Sequence, residues 1–198
     1  MSEWCVLASG PSLTEEDVAL VKKWRNPKEG RKVCVVNTTF RLAPWADVLY
    51  ACDRQWWDTY GTELEWFTGE RYCYAQGGER WGAKRIVGHP GGGLCNQPGE
   101  IRTGGNSGHQ AISLVYNLGA KRIILLGFDM GHHSGKTHWH GNHPQGLGNG
   151  GNYPQWIQWM GMLAKDLKAR GVDVINCTRV TKLDCFEKAD PSSILARG

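Results

Sequence analysis

The residues of this chain with the clearest capacity for chemistry are five histidines in one short stretch. The segment "GFDMGHHSGKTHWHGNHP" begins at Gly127 and holds five of the seven histidines in the 198-residue sequence. Histidine takes up or releases a proton near neutral pH, and it is a common metal ligand. The five are His132, His133, His138, His140 and His143.

The last three histidines have the spacing H-x-H-x-x-H, which could hold a metal ion. This spacing matches no well-defined zinc signature, and no cysteine lies close to it in the sequence. We therefore favour one or two of His138, His140 and His143 as a catalytic base or a phosphate contact over a three-histidine metal site. A polar surface loop without a chemical role is the alternative interpretation.

Three further polar residues, Asn37, Asp53 and Asp129, each come directly after or near the end of an apolar run. The carboxyl ends of parallel strands meet at one edge of a sheet, where ligands bind in open α/β folds. At that edge Asn37 could contact a base or ribose, and Asp53 a ribose hydroxyl or Mg²⁺. We expect Asp129 in the catalytic machinery, or beside Asp53 as a second Mg²⁺ ligand.

The turn "SGPS" separates the first apolar run from an acidic segment. The pattern Ser12-x-x-Glu15 predicts a capping box and a helix that starts at Ser12. Free backbone N–H groups and the helix dipole favour an anion at such a turn. Neither a Walker loop nor G-x-G-x-x-G is present, which argues against a nicotinamide cofactor. The candidate phosphate contacts here are Ser9, Gly10, Pro11 and Ser12.

A second glycine-rich turn opens a helix in "RTGGNSGHQAISL", residues 102–114. Its hydroxyl, amide and backbone groups are those of Thr103, Gly104, Gly105, Asn106 and Ser107. Two helix starts of this kind at one sheet edge predict a nucleotide site.

The apolar runs and helical patterns alternate along the chain, which predicts an α/β fold. The strand candidates are Trp4–Ala8, Lys32–Asn37, Asp47–Cys52, Arg71–Ala75, Arg85–Val87, Arg122–Phe128 and Val172–Asn176. Several of them are apolar almost throughout, as strands covered on both faces are. We expect one Rossmann-like domain over residues 1–198, with a mostly parallel sheet of about six or seven strands flanked by helices.

Three helices are predicted: one from Ser12, one over 107–118 and one over 154–170. In the third, Trp156, Met160, Leu163 and Leu167 form the predicted buried stripe. The glycine-rich segments 76–106 and 129–153 lack apolar periodicity, and loops of that length in a compact domain are usually functional.

The net charge of +4 suits a protein that binds phosphorylated ligands and is too small to indicate duplex DNA as the partner. Seven cysteines without a C-x-x-C pair, and no apolar stretch of membrane length, predict a soluble cytoplasmic protein. A nucleic-acid acceptor and a homo-oligomer both stay open.

The motifs together resemble those of a known superfamily. "ASGPSL" is similar to the G-x-G-P-S-L signature of the bacterial sialyltransferases of glycosyltransferase family 42 and of the MptE-like (DUF115) 6-hydroxymethylpterin pyrophosphokinases. The segments "TGGNSG" and "LLGFD" follow in the matching order, and "HWHGNHP" looks like small phage-encoded members. The resemblance covers residues 4–178 in outline.

The resemblance implies a nucleotide site at 9–12, 37, 53 and 103–107. In the sialyltransferases this turn contacts the cytidine nucleotide of the donor and a histidine serves as base. Here Ala8 and Ser9 replace the Gly and Asn common in that turn, and His138, Trp139 and His140 are candidates to replace the aromatic pair that holds the donor phosphate. A phage-encoded chain would work in the host-cell cytoplasm.

The sequence thus predicts a nucleotide-dependent transferase, in first place a glycosyltransferase with a CMP- or other nucleotide-linked sugar donor and a histidine base. Two alternatives stay open. One is a Mg²⁺-dependent pyrophosphokinase in which Asp53 and Asp129 bind the metal. The other is a phage protein that binds a nucleotide without catalysis.

Overall fold

Eight parallel strands form the main sheet in the computed structural model, which describes residues 2–144, 147–148 and 150–196. The strands are β1 (Glu3–Leu7), β2 (Arg31–Val36), β3 (Val48–Ala51), β4 (Glu70–Cys73), β5 (Lys84–Arg85), β8 (Arg122–Leu126), β9 (Asp173–Asn176) and β10 (Glu187–Lys188). Their order is β10-β9-β8-β1-β2-β3-β4-β5. A separate pair, β6 (Gly88–His89) and β7 (Ile101–Arg102), lies within the segment predicted as a glycine-rich loop.

Five α-helices accompany the strands, together with short 3₁₀ turns. They are α1 (Glu15–Trp24), α2 (Arg54–Tyr60), α3 (Ser107–Asn117), α4 (Tyr153–Ala169) and α5 (Pro191–Leu195). The 3₁₀ turns are Pro27–Glu29, Asn37–Arg41, Gly61–Trp66 and Glu79–Trp81. No described helix is long and apolar enough to cross a membrane.

The sheet is covered on both faces. On one face, Val6 and Leu125 pack with residues of α3 and α4 such as Ile112 and Leu163. On the other face, the side chains that alternate with them pack against α1 and α2. This burial on both sides explains why the central strands are apolar without alternation, and it confirms the predicted single α/β domain with a Rossmann-like parallel sheet.

The strands predicted from sequence all occur, with ends that differ by one or two residues. Strand β10 was not predicted, because its two residues are exposed and carry no apolar signal. The buried stripe of α4 holds for Met160, Leu163 and Leu167, whereas Trp156 is only half-buried. All seven cysteines are free thiols. Five of them lie within a strand or directly after one: Cys5, Cys34, Cys52, Cys73 and Cys177.

The predicted start of the first helix at Ser12 is wrong. Helix α1 begins at Glu15, and the capping box is formed by Thr14 and Asp17. Ser12 does not act as the cap, because its Oγ accepts the Val180 N–H at 3.4 Å while its own N–H donates to Asp129 Oδ2, 2.9 Å away. Residues 9–13 are therefore a tight turn that precedes the helix.

Neighbouring strands β1 and β8 mark the place where the chain reverses its direction of travel across the sheet. After β1 the chain adds β2 to β5 on one side, and after β8 it adds β9 and β10 on the other. The ends of the two strands are joined by the Gly10 N–H, which donates to Gly127 O at 2.9 Å. Ligands bind at such switch points in open α/β sheets.

Substituting Gly10 tests how tightly this junction is packed. A Cβ on Gly10 would lie 2.0 Å from Asp129 Oδ1 and 2.4 Å from Gly127 O, and a backbone carbonyl cannot move aside without disturbing the strand end. We expect Gly10→Ala to lower the free energy of unfolding by about 1–3 kcal/mol in urea titrations. The matched control is Gly161→Ala inside α4, where a Cβ meets nothing within 4 Å and helix propensity should add up to ~1 kcal/mol. Equal stability of the two variants would contradict the packing described.

Candidate functional site

A cavity of about 280 Å³ opens at the carboxyl edge of the sheet, at the switch point between β1 and β8. Its walls come from the residues that follow β1, β2, β3 and β8 and from the first turns of α3 and α4. Of the predicted site residues, those that line it are Ser9, Gly10, Pro11, Asn37, Asp53, Gly105, Asn106, Ser107, Asp129, His138 and His143. Ser12, Thr103, Gly104 and His140 do not line it.

The Ser9–Ser12 turn offers fewer hydrogen-bond donors than the sequence predicted. The Gly10 N–H is bonded to Gly127 O, the Ser12 N–H to Asp129, and the Leu13 N–H to Gly10 O. Only the Ser9 N–H of this turn has no partner among the described residues. The backbone N–H groups of this turn are thus used to join the ends of two strands, and few of them are left to bind a phosphate.

Asp129 is the partner that holds the turn. The side chain is buried, and its Oδ2 accepts the Ser12 N–H. Its Oδ1 lies against Gly10 and has no hydrogen-bond partner from the described residues. Burial raises the pKa of Asp129 to about 6, and the bond from Ser12 opposes that rise. The carboxylate positions the turn, and its predicted role as a catalytic group or Mg²⁺ ligand stays a prediction.

The N-terminus of α3 has the free donors that the first turn lacks. Asn106 caps the helix by accepting the His109 N–H at 2.9 Å. The N–H groups of Ser107 and Gly108 have no partner among the described residues, and both residues line the cavity. The helix dipole adds partial positive charge at this point, so an anion is favoured here.

Thr103 and Gly104, at the start of the second glycine-rich turn, hold that turn in place. The Thr103 N–H donates to His89 O and the Gly104 N–H to Gly91 O, both at 2.9 Å. These bonds fasten the turn to the β6–β7 segment and keep both residues out of the cavity.

Asn37 and Asp53 lie where the sequence placed them, just beyond β2 and β3. Asn37 adopts a left-handed backbone with φ of 51°, and its buried Oδ1 has no hydrogen-bond partner among the residues that the structure describes. Backbone strain and an unpaired polar atom both cost free energy, and proteins tend to concentrate such costs at functional sites. Asp53 precedes α2 without capping it through its side chain, which leaves its carboxylate for a ligand.

His138, His140 and His143 converge, although no regular element positions them. Their ring centroids are 4.7 to 5.2 Å apart, and the rings of His138 and His140 are stacked. His138 Nδ1 is hydrogen-bonded to Ser9 Oγ at 3.2 Å, and His143 Nδ1 to Tyr60 Oη at 3.3 Å. We call these three side chains the imidazole cluster.

Burial keeps the imidazole cluster uncharged at neutral pH. Burial lowers the pKa of His138 and of His140 to about 4, and the nearby His143 adds to both shifts. The pKa of His143 is lowered by burial and by Arg41, while Asp53 opposes the shift. The remaining two histidines of the segment, His132 and His133, are exposed and lie outside the cluster.

Sequence reasoning missed two aromatic residues of the cavity, Tyr153 and Trp156, the second of which is predicted above as part of the buried stripe of α4. Trp56 also borders the cavity, but it is a core residue with 2% of its surface exposed. The available signal was position, since Tyr153 and Trp156 occupy the first turn of a helix that follows the histidine-rich loop. Among the lining residues that the structure describes there is no lysine or arginine.

Comparison of the chain with protein-family models, with curated proteins and with solved structures returned no match. The resemblance to the sialyltransferase-like superfamily therefore stays a prediction that rests on the quoted motifs.

The buried imidazoles predict that stability falls on acidification. Histidines ordinarily titrate near 6.5 but bind protons in the folded chain only near pH 4, so the unfolded chain binds more protons between these values. The free energy of unfolding of metal-free protein should therefore decrease from pH 6.5 to pH 4. Asp129, whose pKa is raised, opposes this between about pH 4 and 6.

Urea unfolding at several pH values measures the effect, with His140→Ala against His133→Ala as the control. We expect a smaller loss of stability on acidification in His140→Ala, and the wild-type loss in the control. A loss that is the same in both variants would show that the cluster is not buried in its neutral form.

Proposed function

We propose that the protein is a nucleotide-dependent transferase, and that its donor is a nucleotide-activated sugar. The observation that carries the proposal is the pair of unpaired N–H groups at the start of α3, on Ser107 and Gly108, which open on the switch-point cavity. Phosphate groups are the natural ligands of such donors.

The remaining walls of the cavity suit the other parts of a nucleotide. Asn37 offers an unpaired amide oxygen, and Asp53 offers a carboxylate that can accept hydrogen bonds from ribose hydroxyls. The half-buried indole of Trp156 is a flat surface on which a base can stack. Trp156 lies directly over Gly105, since a Cβ on Gly105 would be 2.5 Å from Trp156 Nε1. The wall formed by Trp156 therefore contacts the proposed phosphate-binding turn.

The imidazole cluster supports a role in activating the acceptor hydroxyl. His138 and His143 line the cavity, and His138 Nε2 is buried with no partner within residues 2–144, 147–148 and 150–196. A neutral imidazole has a lone pair that can accept the proton of a hydroxyl or bind an ion that polarises that hydroxyl. The loop after β8 also contributes Thr137 and Leu147 to the walls, which lets it exclude water from the donor.

A Mg²⁺-dependent pyrophosphokinase is the second candidate, and the observation in its favour is that Asp53 and Asp129 line the same cavity. The geometry favours it less. Asp129 Oδ2 is already bonded to Ser12 and its Oδ1 lies against Gly10. Neither Asp53 nor Asp129 belongs to a group of three metal-ligating side chains among the described residues.

Nucleotide binding and sugar turnover test the proposal in sequence. We expect one of CMP, UDP, GDP, ADP or ATP to raise the melting temperature, since a ligand that binds the native state stabilises it. The matching nucleotide sugar should then be turned over, and His138→Ala should lower turnover roughly 10²- to 10⁴-fold while the nucleotide still binds.

His133→Ala, an exposed histidine of the same loop, is the control and should retain wild-type turnover. Full activity in each of the variants His138→Ala, His140→Ala and His143→Ala would remove the imidazole cluster from the reaction. Tight nucleotide binding without turnover of any donor would indicate a binding protein, and activity that needs Mg²⁺ and ATP would indicate the pyrophosphokinase.

A further inference from the structure

The imidazole cluster has the composition of a metal site. His138, His140 and His143 each offer one ring nitrogen, and the three ligand atoms lie within 4.8 Å of one another. We propose that these three imidazoles bind one divalent transition-metal ion of the zinc class at the wall of the cavity. The spacing in sequence gave no zinc signature because the three rings are brought together by the path of a loop.

Unpaired buried nitrogens are the first observation in favour of an ion. His138 Nε2 and His140 Nε2 are both buried, and neither has a hydrogen-bond partner in the part of the chain that the structure describes. A buried polar atom that gives up its contacts with water costs free energy unless something replaces them. Here two such nitrogens lie close together in stacked rings, beside a third imidazole, so this free-energy cost is incurred twice at one place. A bound cation would remove the cost by accepting the lone pairs of both nitrogens.

The surroundings of the cluster orient it for metal binding. Ser9 Oγ holds His138 at Nδ1, and Tyr60 Oη holds His143 at Nδ1. Trp139, which lies between His138 and His140 in the sequence, is held by two hydrogen bonds. Its backbone N–H donates to Ser9 O, and its Nε1 donates to Thr39 Oγ1. Hydrogen bonds to the second ring nitrogen are what fix the tautomer and direction of metal-binding histidines.

The distances are close to those a metal requires. Zinc binds imidazole nitrogen at 2.0–2.1 Å, so tetrahedral ligands are about 3.3 Å apart. A separation of up to 4.8 Å closes to this value by small rotations of the three rings, whose residues lie in no helix or strand. Three histidines leave the fourth position of a tetrahedral ion open, which is the pattern of a catalytic site.

The class of metal follows from the donor atoms. Imidazole nitrogen suits zinc, copper, iron and nickel, whereas Mg²⁺ takes oxygen ligands. A second group, His89, Cys95 and Glu100, has the same ligand spread, but His89 and Glu100 there already pair with each other and their side chains are 40% and 30% exposed. In the imidazole cluster two ring nitrogens are buried, and the cluster adjoins the main cavity.

An ion at this place would supply the charge that the cavity lacks. The described lining contains two carboxylates, from Asp53 and Asp129, and no lysine or arginine. A nucleoside diphosphate brings further negative charge, and a divalent cation beside it would offset part of that charge. This role, unlike the metal site itself, rests on the proposed function.

Metal binding to the whole chain is the direct test. The protein is stripped with a chelator and titrated with Zn²⁺ by calorimetry and with Co²⁺ by visible absorption, because Co²⁺ reports a tetrahedral nitrogen site spectroscopically. We expect one ion per chain, and each of His138→Ala, His140→Ala and His143→Ala should weaken binding at least roughly 10- to 100-fold. Ser9→Ala should weaken it about tenfold and keep the Co²⁺ spectrum.

The controls are His133→Ala and Cys95→Ser, both of which should bind as the wild type does. Circular dichroism in chelator establishes that each variant is folded, and the wild-type Co²⁺ spectrum tests the site without any substitution. Wild-type protein that takes up no zinc, or binding lost in Cys95→Ser and kept in the cluster variants, would overturn the proposal. Zinc uptake without nucleotide binding would contradict only the proposed function, and nucleotide binding without zinc uptake only the metal site.

Discussion

The close approach of two strand ends is the constraint on which the rest of the site depends. Gly127 has a φ of 75° and lies so near the end of β1 that a Cβ on it would be 2.5 Å from Ala8 O. In turn, the Gly10 N–H donates a hydrogen bond to Gly127 O. Asp129 then ties the following turn to β8 through Ser12. Because two glycines and one buried carboxylate close this junction, the floor of the cavity is made of backbone and has a fixed shape.

Several unpaired polar groups lie around that floor. The Asn37 amide oxygen, the N–H groups of Ser107 and Gly108 and the ring nitrogens of His138 and His140 all lack partners among the described residues. Buried polar groups of folded proteins are nearly always satisfied, so the buried side-chain atoms among these are a cost to stability. Donors for an anion, an acceptor for a base or ribose, and nitrogens for a cation or a proton together support the proposed ligand, which carries both phosphate and hydroxyl groups.

The parallel sheet could be predicted because strands buried on both faces are apolar throughout, and the start of α3 could be predicted because Asn106 and Ser107 carry the cap. Three features could not. The sequence offers two capping patterns for α1, Ser12-x-x-Glu15 and Thr14-x-x-Asp17, and the contacts of Ser12 with Asp129 and Val180, each more than a hundred residues away, keep Ser12 out of that role. The convergence of the imidazole cluster depends on the path of an irregular loop, and the role of Trp156 depends on which side of α4 faces the cavity. Each is a contact between distant segments, on which local patterns carry no information.

The central claim is that the backbone N–H groups of α3, and not those of the turn after β1, hold the phosphate. Calorimetric nucleotide affinity of Ser107→Pro compared with Ser107→Ala measures it directly. Proline is tolerated at the first position of a helix but removes the N–H, whereas alanine removes only the hydroxyl. The prediction is near wild-type affinity for Ser107→Ala and a loss of roughly tenfold or more for Ser107→Pro, from one charge-assisted hydrogen bond. Equal affinities in two folded variants would contradict the claim.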